Sequence, residues 1–178
     1  MPAFVVEDGT GLTNATSYVS VADADDYLTV KPDAVIADWV ALTSGQKQDY
    51  LMWATRLLDQ RGTFQGQKTV EESALRWPRA WVYDRDSLLL PDDEIPEQIE
   101  AATVEIAFNL LDQSVDPSSP GSGSSGGIKS LKADVVEIEY FEGGSASNNA
   151  FPKGINDILA PLGSISGGGP GFGRIVRT

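Results

Sequence analysis

The segment Arg76-Trp77-Pro78-Arg79, followed by Trp81, places two guanidinium groups and two indoles within six residues. Cations interleaved with aromatic rings suit single-stranded nucleic acid, because the cations meet phosphates and the rings stack on bases. The same residues serve equally well in a second way: Trp77 and Trp81 fill a core or a subunit interface, and Arg76 and Arg79 pair with acids. The acidic surroundings favour this second use.

Other chemistry finds little support. Histidine and cysteine are both absent, which excludes thiol nucleophiles, imidazole bases, disulfides and Cys/His zinc sites. Asp23, Asp25 and Asp26 cluster, but they lack the alternating ligands, central glycine and terminal Glu of a calcium loop. Acids there suit the positive end of a helix. Asp92, Asp93, Glu94 and Glu97 have the same explanation before the helix at Pro96. The run Gly167 to Gly173 has the glycines of a phosphate loop, without the preceding strand, the following helix or the Lys-Ser/Thr pair. No serine is marked by an adjacent base. We expect no catalytic, cofactor-binding or metal-ligating residues, and a protein that is not an enzyme.

Charge and apolar residues divide the chain unevenly. The net charge is −13 over 178 residues. Residues 1–116 hold 21 acids and 8 bases, whereas residues 117–178 hold five of each. All four tryptophans, Trp39, Trp53, Trp77 and Trp81, fall in the first half, and glycine concentrates in the last third. An acidic body repels phosphate, so general DNA binding is disfavoured except at a local basic patch. The N-terminus has no signal-peptide pattern and no run approaches 18 apolar residues, so neither a signal peptide nor a membrane span is expected.

These residues need elements to position them. Val5-Val6 leads into glycine turns at Gly9 and Gly11, and Ser20 caps a helix from Val21. A second helix spans Asp33 to Leu42, with Val35, Ile36, Trp39 and Val40 as its apolar side. A third, capped by Thr43 or Ser44, runs from about Gln46 to Gln60 and repeats Tyr50, Trp53, Ala54, Leu57 and Leu58 at helical spacing. Thr69-Val70-Glu71-Glu72 has capping-box spacing and predicts a short helix ended by Pro78. Residues 79–95 read as a loop. Pro96 opens the clearest helix, through about Gln113, with Ile99, Ala102, Thr103, Ile106, Leu110 and Leu111 inward. Residues 114–127 are a Gly/Ser/Pro tether. Residues 128–141 alternate as a strand or a hairpin bent near Ala133-Asp134. Phe151 to Leu162 forms one short helix, and a glycine-rich tail starts at Gly163. The expected fold is mainly α: a helical body over 1–113, then an extended C-terminal arm over 128–178 with a strand or hairpin and one short helix.

The opening Val6-Glu7-Asp8-Gly9-Thr10-Gly11-Leu12 through Ser17-Tyr18-Val19-Ser20 resembles a phage protein family. Ala54-Thr55-Arg56-Leu57-Leu58-Asp59, Phe64-Gln65-Gly66, Leu75-Arg76-Trp77-Pro78-Arg79, Ile95-Pro96, Ile128 to Lys132 and the Val176-Arg177 ending share the resemblance. That family carries two labels, DnaT-like single-stranded-DNA-binding protein and head–tail connector (adaptor) of tailed bacteriophages. The connector label implies that the helical body is a small helical bundle, assembled as a homo-oligomeric ring, commonly of twelve copies, beneath the portal protein. It also implies a tail-side neck or tail-completion partner, passage of double-stranded DNA without specific binding, no membrane partner, and a place in the virion neck after synthesis in the host cytoplasm.

Charge favours the connector label, since an acidic lumen wall lets DNA pass without sticking. On this reading the arm makes the subunit or portal contacts, through Val136, Ile138, Tyr140, Phe151, Phe172, Arg174, Ile175, Val176 and Arg177. Deleting residues 114–178 is then expected to leave a folded monomer unable to join the portal. Single-strand binding through the Arg76–Trp81 segment is the alternative.

Overall fold

The computed structural model describes residues 3–111, 132–133, 136–137 and 153–165. The elements are α1 (Val21–Leu28), α2 (Asp33–Val40), α3 (Ser44–Arg61), β1 (Gly62–Phe64), β2 (Gln67–Lys68), β3 (Arg79–Ala80), α4 (Glu97–Leu111), β4 (Lys132–Ala133), β5 (Val136–Glu137), α5 (Lys153–Leu159) and β6 (Gly163–Ile165). The fold is mainly α. Among the described residues the strands form three antiparallel two-stranded ladders, β1 with β6, β2 with β3, and β4 with β5.

Local sequence explains the helix starts. Ser20 accepts from the Asp23 amide to cap α1, and Thr43 and Gln46 form a reciprocal capping box at α3. Asp25 of the acidic cluster, with a partly exposed side chain, also ties helices together. Its carboxylate accepts from Trp39 Nε1 at 2.7 Å and from Lys47 Nζ at 2.8 Å, joining α1 to α2 and α3. Glu105 of α4 likewise accepts from Tyr27 Oη at 3.1 Å and from Lys31 Nζ at 2.8 Å.

Helix α4 is the central packing element, lying against both α3 and α5. Its Ile99, Ala102, Thr103, Ile106 and Leu110 are buried, as the periodicity predicts. The faces of α2 and α3 are rotated from their predicted positions. In α3 the buried stripe is Leu51, Ala54, Thr55 and Leu58 with Leu57, while Trp53 is 45% exposed. In α2 only Ile36 and Trp39 are buried, and Val35 and Val40 face outward.

Three further expectations change. No helix forms over residues 69–76, because tertiary bonds claim the groups a capping box would use. The Thr69 amide and hydroxyl both donate to the Pro78 carbonyl, Ser73 Oγ donates to the Leu75 carbonyl, and the Ala74 amide donates to the Leu12 carbonyl. The arm's helix also belongs to the body: Ile155, Leu159 and Leu162 are 2%, 0% and 0% exposed within the one core cluster. Gly163, expected in a loose tail, starts β6 and pairs with Phe64. A Cβ there would sit 2.2 Å from the Thr63 carbonyl oxygen, so the two strands approach only because the residue is glycine. Of the strand or hairpin expected over 128–141, only β4 and β5 lie within the described residues, and they pair antiparallel with Ala133 opposite Val136.

Candidate nucleic-acid interface

A cavity of about 550 Å³ opens between α3 and the irregular segment Ala74–Arg76. That volume lies in the range of ligand sites, roughly 300–1,000 Å³. Its helical side presents Trp53, Arg56 and Asp59, its far wall Leu75 and Arg76, and its floor Thr55.

The wall is held from beneath. Tyr18, which is fully buried, donates its hydroxyl to Asp59 Oδ1 at 2.5 Å and accepts the amides of Arg76 at 3.0 Å and Trp77 at 3.3 Å. Asp59 Oδ2 accepts the Arg76 amide as well, at 3.1 Å. Burial pushes the Asp59 carboxyl above the ordinary aspartate value, although the Tyr18 hydroxyl, the Arg76 amide and the Arg76 and Lys68 charges pull it down. Burial, followed by the Asp59 charge, pushes the Tyr18 phenol well above its ordinary value. Among the described residues Asp59 is the one carboxylate lining the groove, and both its oxygens are engaged.

The cations differ in what they are committed to. Residues 3–111 hold eight basic side chains. Lys31 and Lys47 pair with carboxylates. Lys68, Arg79 and Arg85 donate to backbone carbonyls, and Arg61 is also partnered. Among the described residues, the guanidinium groups of Arg56 and Arg76 alone make no hydrogen bond or ion pair, and both line this groove. Trp53 lies one helical turn from Arg56. On the floor, Thr55 Oγ1 is buried without a hydrogen-bond partner. Thr103 in α4 shows the usual solution, donating to the Ile99 carbonyl one turn earlier at 2.8 Å. A buried orphan hydroxyl costs about 1–3 kcal/mol and in a cleft marks a place where a ligand could bond.

The predicted patch is therefore split. Arg76 belongs to the groove. Trp77 is fully buried, edge-on to Phe64 at 5.7 Å between ring centroids, and is a core residue with no face for a base. Arg79 clamps the turn before β2 by donating to the Gln65 and Gly66 carbonyls at 2.6 and 2.7 Å. Trp81 is 62% exposed but does not line the groove. Of the predicted arm contacts, Val136 lies in β5, where only the backbone is described. Ile138, Tyr140, Phe151, Phe172, Arg174, Ile175, Val176 and Arg177 lie outside the described residues. Sequence reasoning missed Trp53, Thr55 and Arg56 as a group, because Trp53 fitted the helical repeat. The available signal was Leu51, which that repeat omits and which centres a competing stripe on Leu51, Ala54, Thr55 and Leu58.

Fold and groove together define a small, mainly α protein with a short cleft that joins one exposed indole to two guanidiniums without a hydrogen bond or ion pair. The chain belongs to the family described as "Putative DnaT-like ssDNA binding protein", whose model matches residues 2–178. That description coincides with the single-strand-binding label of the resemblance and says nothing of a connector. No curated protein and no solved structure matches the chain.

Proposed function

We propose that this protein binds single-stranded DNA, without catalysis, in the groove between α3 and Ala74–Arg76. The observation that carries the reading is the convergence of Arg56, Arg76 and Trp53 on one cleft, while the other cations of residues 3–111 are committed elsewhere. Trp53 stacks on a base, the two arginines meet flanking phosphates, and Thr55 Oγ1 bonds a base or sugar edge. The family description supports the same reading. The acidic surface repels the rest of the strand, so the site is short and tolerant of sequence. Titration of a labelled oligothymidine at low and moderate salt tests it. Two phosphate contacts give a log–log salt slope of about −1.4, from roughly −0.7 per contact on single strands. Absence of micromolar binding at low salt would overturn the reading.

One observation favours a second reading, the head–tail connector. The whole net charge of −13 falls within residues 1–116, which suits a channel wall better than a strand-binding surface. On that reading the chain forms a ring, of about twelve copies by the resemblance, under the portal in the virion neck, and its acids face the lumen. Electron microscopy of the protein mixed with portal checks this, and a lumen lined by Lys and Arg would sink it.

A further inference from the structure

Residues 81–90 form a small hairpin that no part of the groove uses. Tyr83 bridges Leu89 in antiparallel fashion, the Leu90 amide donates to the Val82 carbonyl at 2.9 Å, and the Asp84 amide donates to the Leu88 carbonyl at 2.9 Å. The alternation of a strand turns Val82 and Leu90 toward the core and Tyr83 and Leu89 outward. Val82 is fully buried and Leu90 packs against the core, whereas Tyr83, Leu88 and Leu89 are 48%, 64% and 58% exposed. Trp81 adds a large exposed indole at the base of the hairpin.

The hairpin is built rather than slack. Asp84 Oδ1 accepts the amides of Asp86 and Leu88, both at 2.8 Å, and Arg85 donates to the Asp157 carbonyl at 2.7 Å. Trp81 has φ of +60°, a region that bulky side chains rarely occupy. Strain retained by a residue whose ring then faces solvent points to a use outside the monomer.

Charge selects the occupant. Residues 84–94 carry the acids Asp84, Asp86, Asp92, Asp93 and Glu94, and their one base, Arg85, is committed to a carbonyl. This apolar knob with an acidic collar repels nucleic acid and anionic lipid. It also repels a second copy of a chain with net charge −13. We infer that the hairpin is a protein-docking knob, with Trp81, Tyr83, Leu88 and Leu89 entering an apolar pocket rimmed by Lys or Arg on a different protein. The inference does not depend on the groove's function.

Selection of a random peptide library on the immobilised full chain tests it. The expected peptides combine aromatic or aliphatic residues with Lys or Arg. They should bind the L88S/L89S variant about tenfold or more weakly, as loss of exposed anchors implies, and bind R56A/R76A as well as wild type. Circular dichroism should show the L88S/L89S variant folded, since it alters outward residues only. The inference is overturned if no peptide is enriched, if the enriched peptides are neutral or acidic, or if they bind L88S/L89S undiminished. Self-association in sedimentation velocity that L88S/L89S abolishes would also overturn it, by identifying a second copy as the occupant.

Discussion

The Tyr18 hydroxyl, 41 residues from Asp59 in sequence, donates to its Oδ1 at 2.5 Å and accepts two main-chain amides from Arg76 and Trp77. One buried phenol thus ties the N-terminal segment, α3 and the groove wall together. Tyr18→Phe removes the shared acceptor and strands the buried Trp77 amide. The expected loss is about 1–3 kcal/mol, read from urea unfolding. Unchanged stability would mean the three bonds are dispensable.

The same pair makes stability depend on pH. Burial raises the folded pKa of Asp59 above the ordinary 3.8, so the folded state holds its proton more tightly than the unfolded one. That contribution is fully present below 3.8 and is lost as pH rises through the raised folded value. The difference in urea midpoint between wild type and Asp59→Asn should therefore shift against wild type as pH climbs from about 4 toward neutrality. A difference independent of pH would refute the assignment.

Alkaline pH probes the phenols with the same sign. Tyr18 is pushed well above 10.0, and Tyr27, by burial and then the Glu105 charge, is pushed up to about 12. Stability should fall as pH rises above 10, where the unfolded phenols ionise first. Tyr18→Phe should blunt that fall without abolishing it, because Tyr27 remains.

Groove substitutions should separate binding from folding. Trp53→Ala, at an exposed position, should leave the unfolding midpoint nearly unchanged and weaken oligonucleotide binding by about 1–3 kcal/mol, the worth of one stacked base. Arg56→Ala or Arg76→Ala should each reduce the salt slope by about 0.7. Thr55→Val removes a buried orphan hydroxyl, so it should hold or raise stability while lowering affinity. If affinity is unmoved, Thr55 does not touch the strand.

Truncation tests where the body ends. A chain stopping at Leu111 loses Ile155, Leu159 and Leu162, each worth about 1.5–3 kcal/mol when fully buried. The sum approaches a whole domain's stability of about 5–15 kcal/mol. Circular dichroism and urea unfolding should show a strongly destabilised or unfolded product, and a stable truncated body would contradict the packing.

Much of this was legible from residues alone. Helix α4 announced itself through apolar spacing, and α1 through Ser20, since caps and periodicity are local signals. The segment 69–76 was not legible. Its capping-box pattern was genuine, but the Leu12 and Pro78 carbonyls, both outside that segment, compete for its donors. Trp53 misled for a related reason: a helical repeat gives a stripe's period, and only the neighbouring helix decides its phase.

The sequence by itself determined a mainly helical protein without imidazole or thiol chemistry, and it determined that the whole net charge sits in residues 1–116. These are properties of composition and of contacts within one or two helical turns. Only the tertiary structure decided that Trp77 is core, that Trp53, Arg56 and Arg76 share a groove, and that residues 153–165 complete the body. Each of those depends on chain segments far apart in sequence meeting at one place. Burial, which separates a structural residue from an available one, exists only once those segments have met.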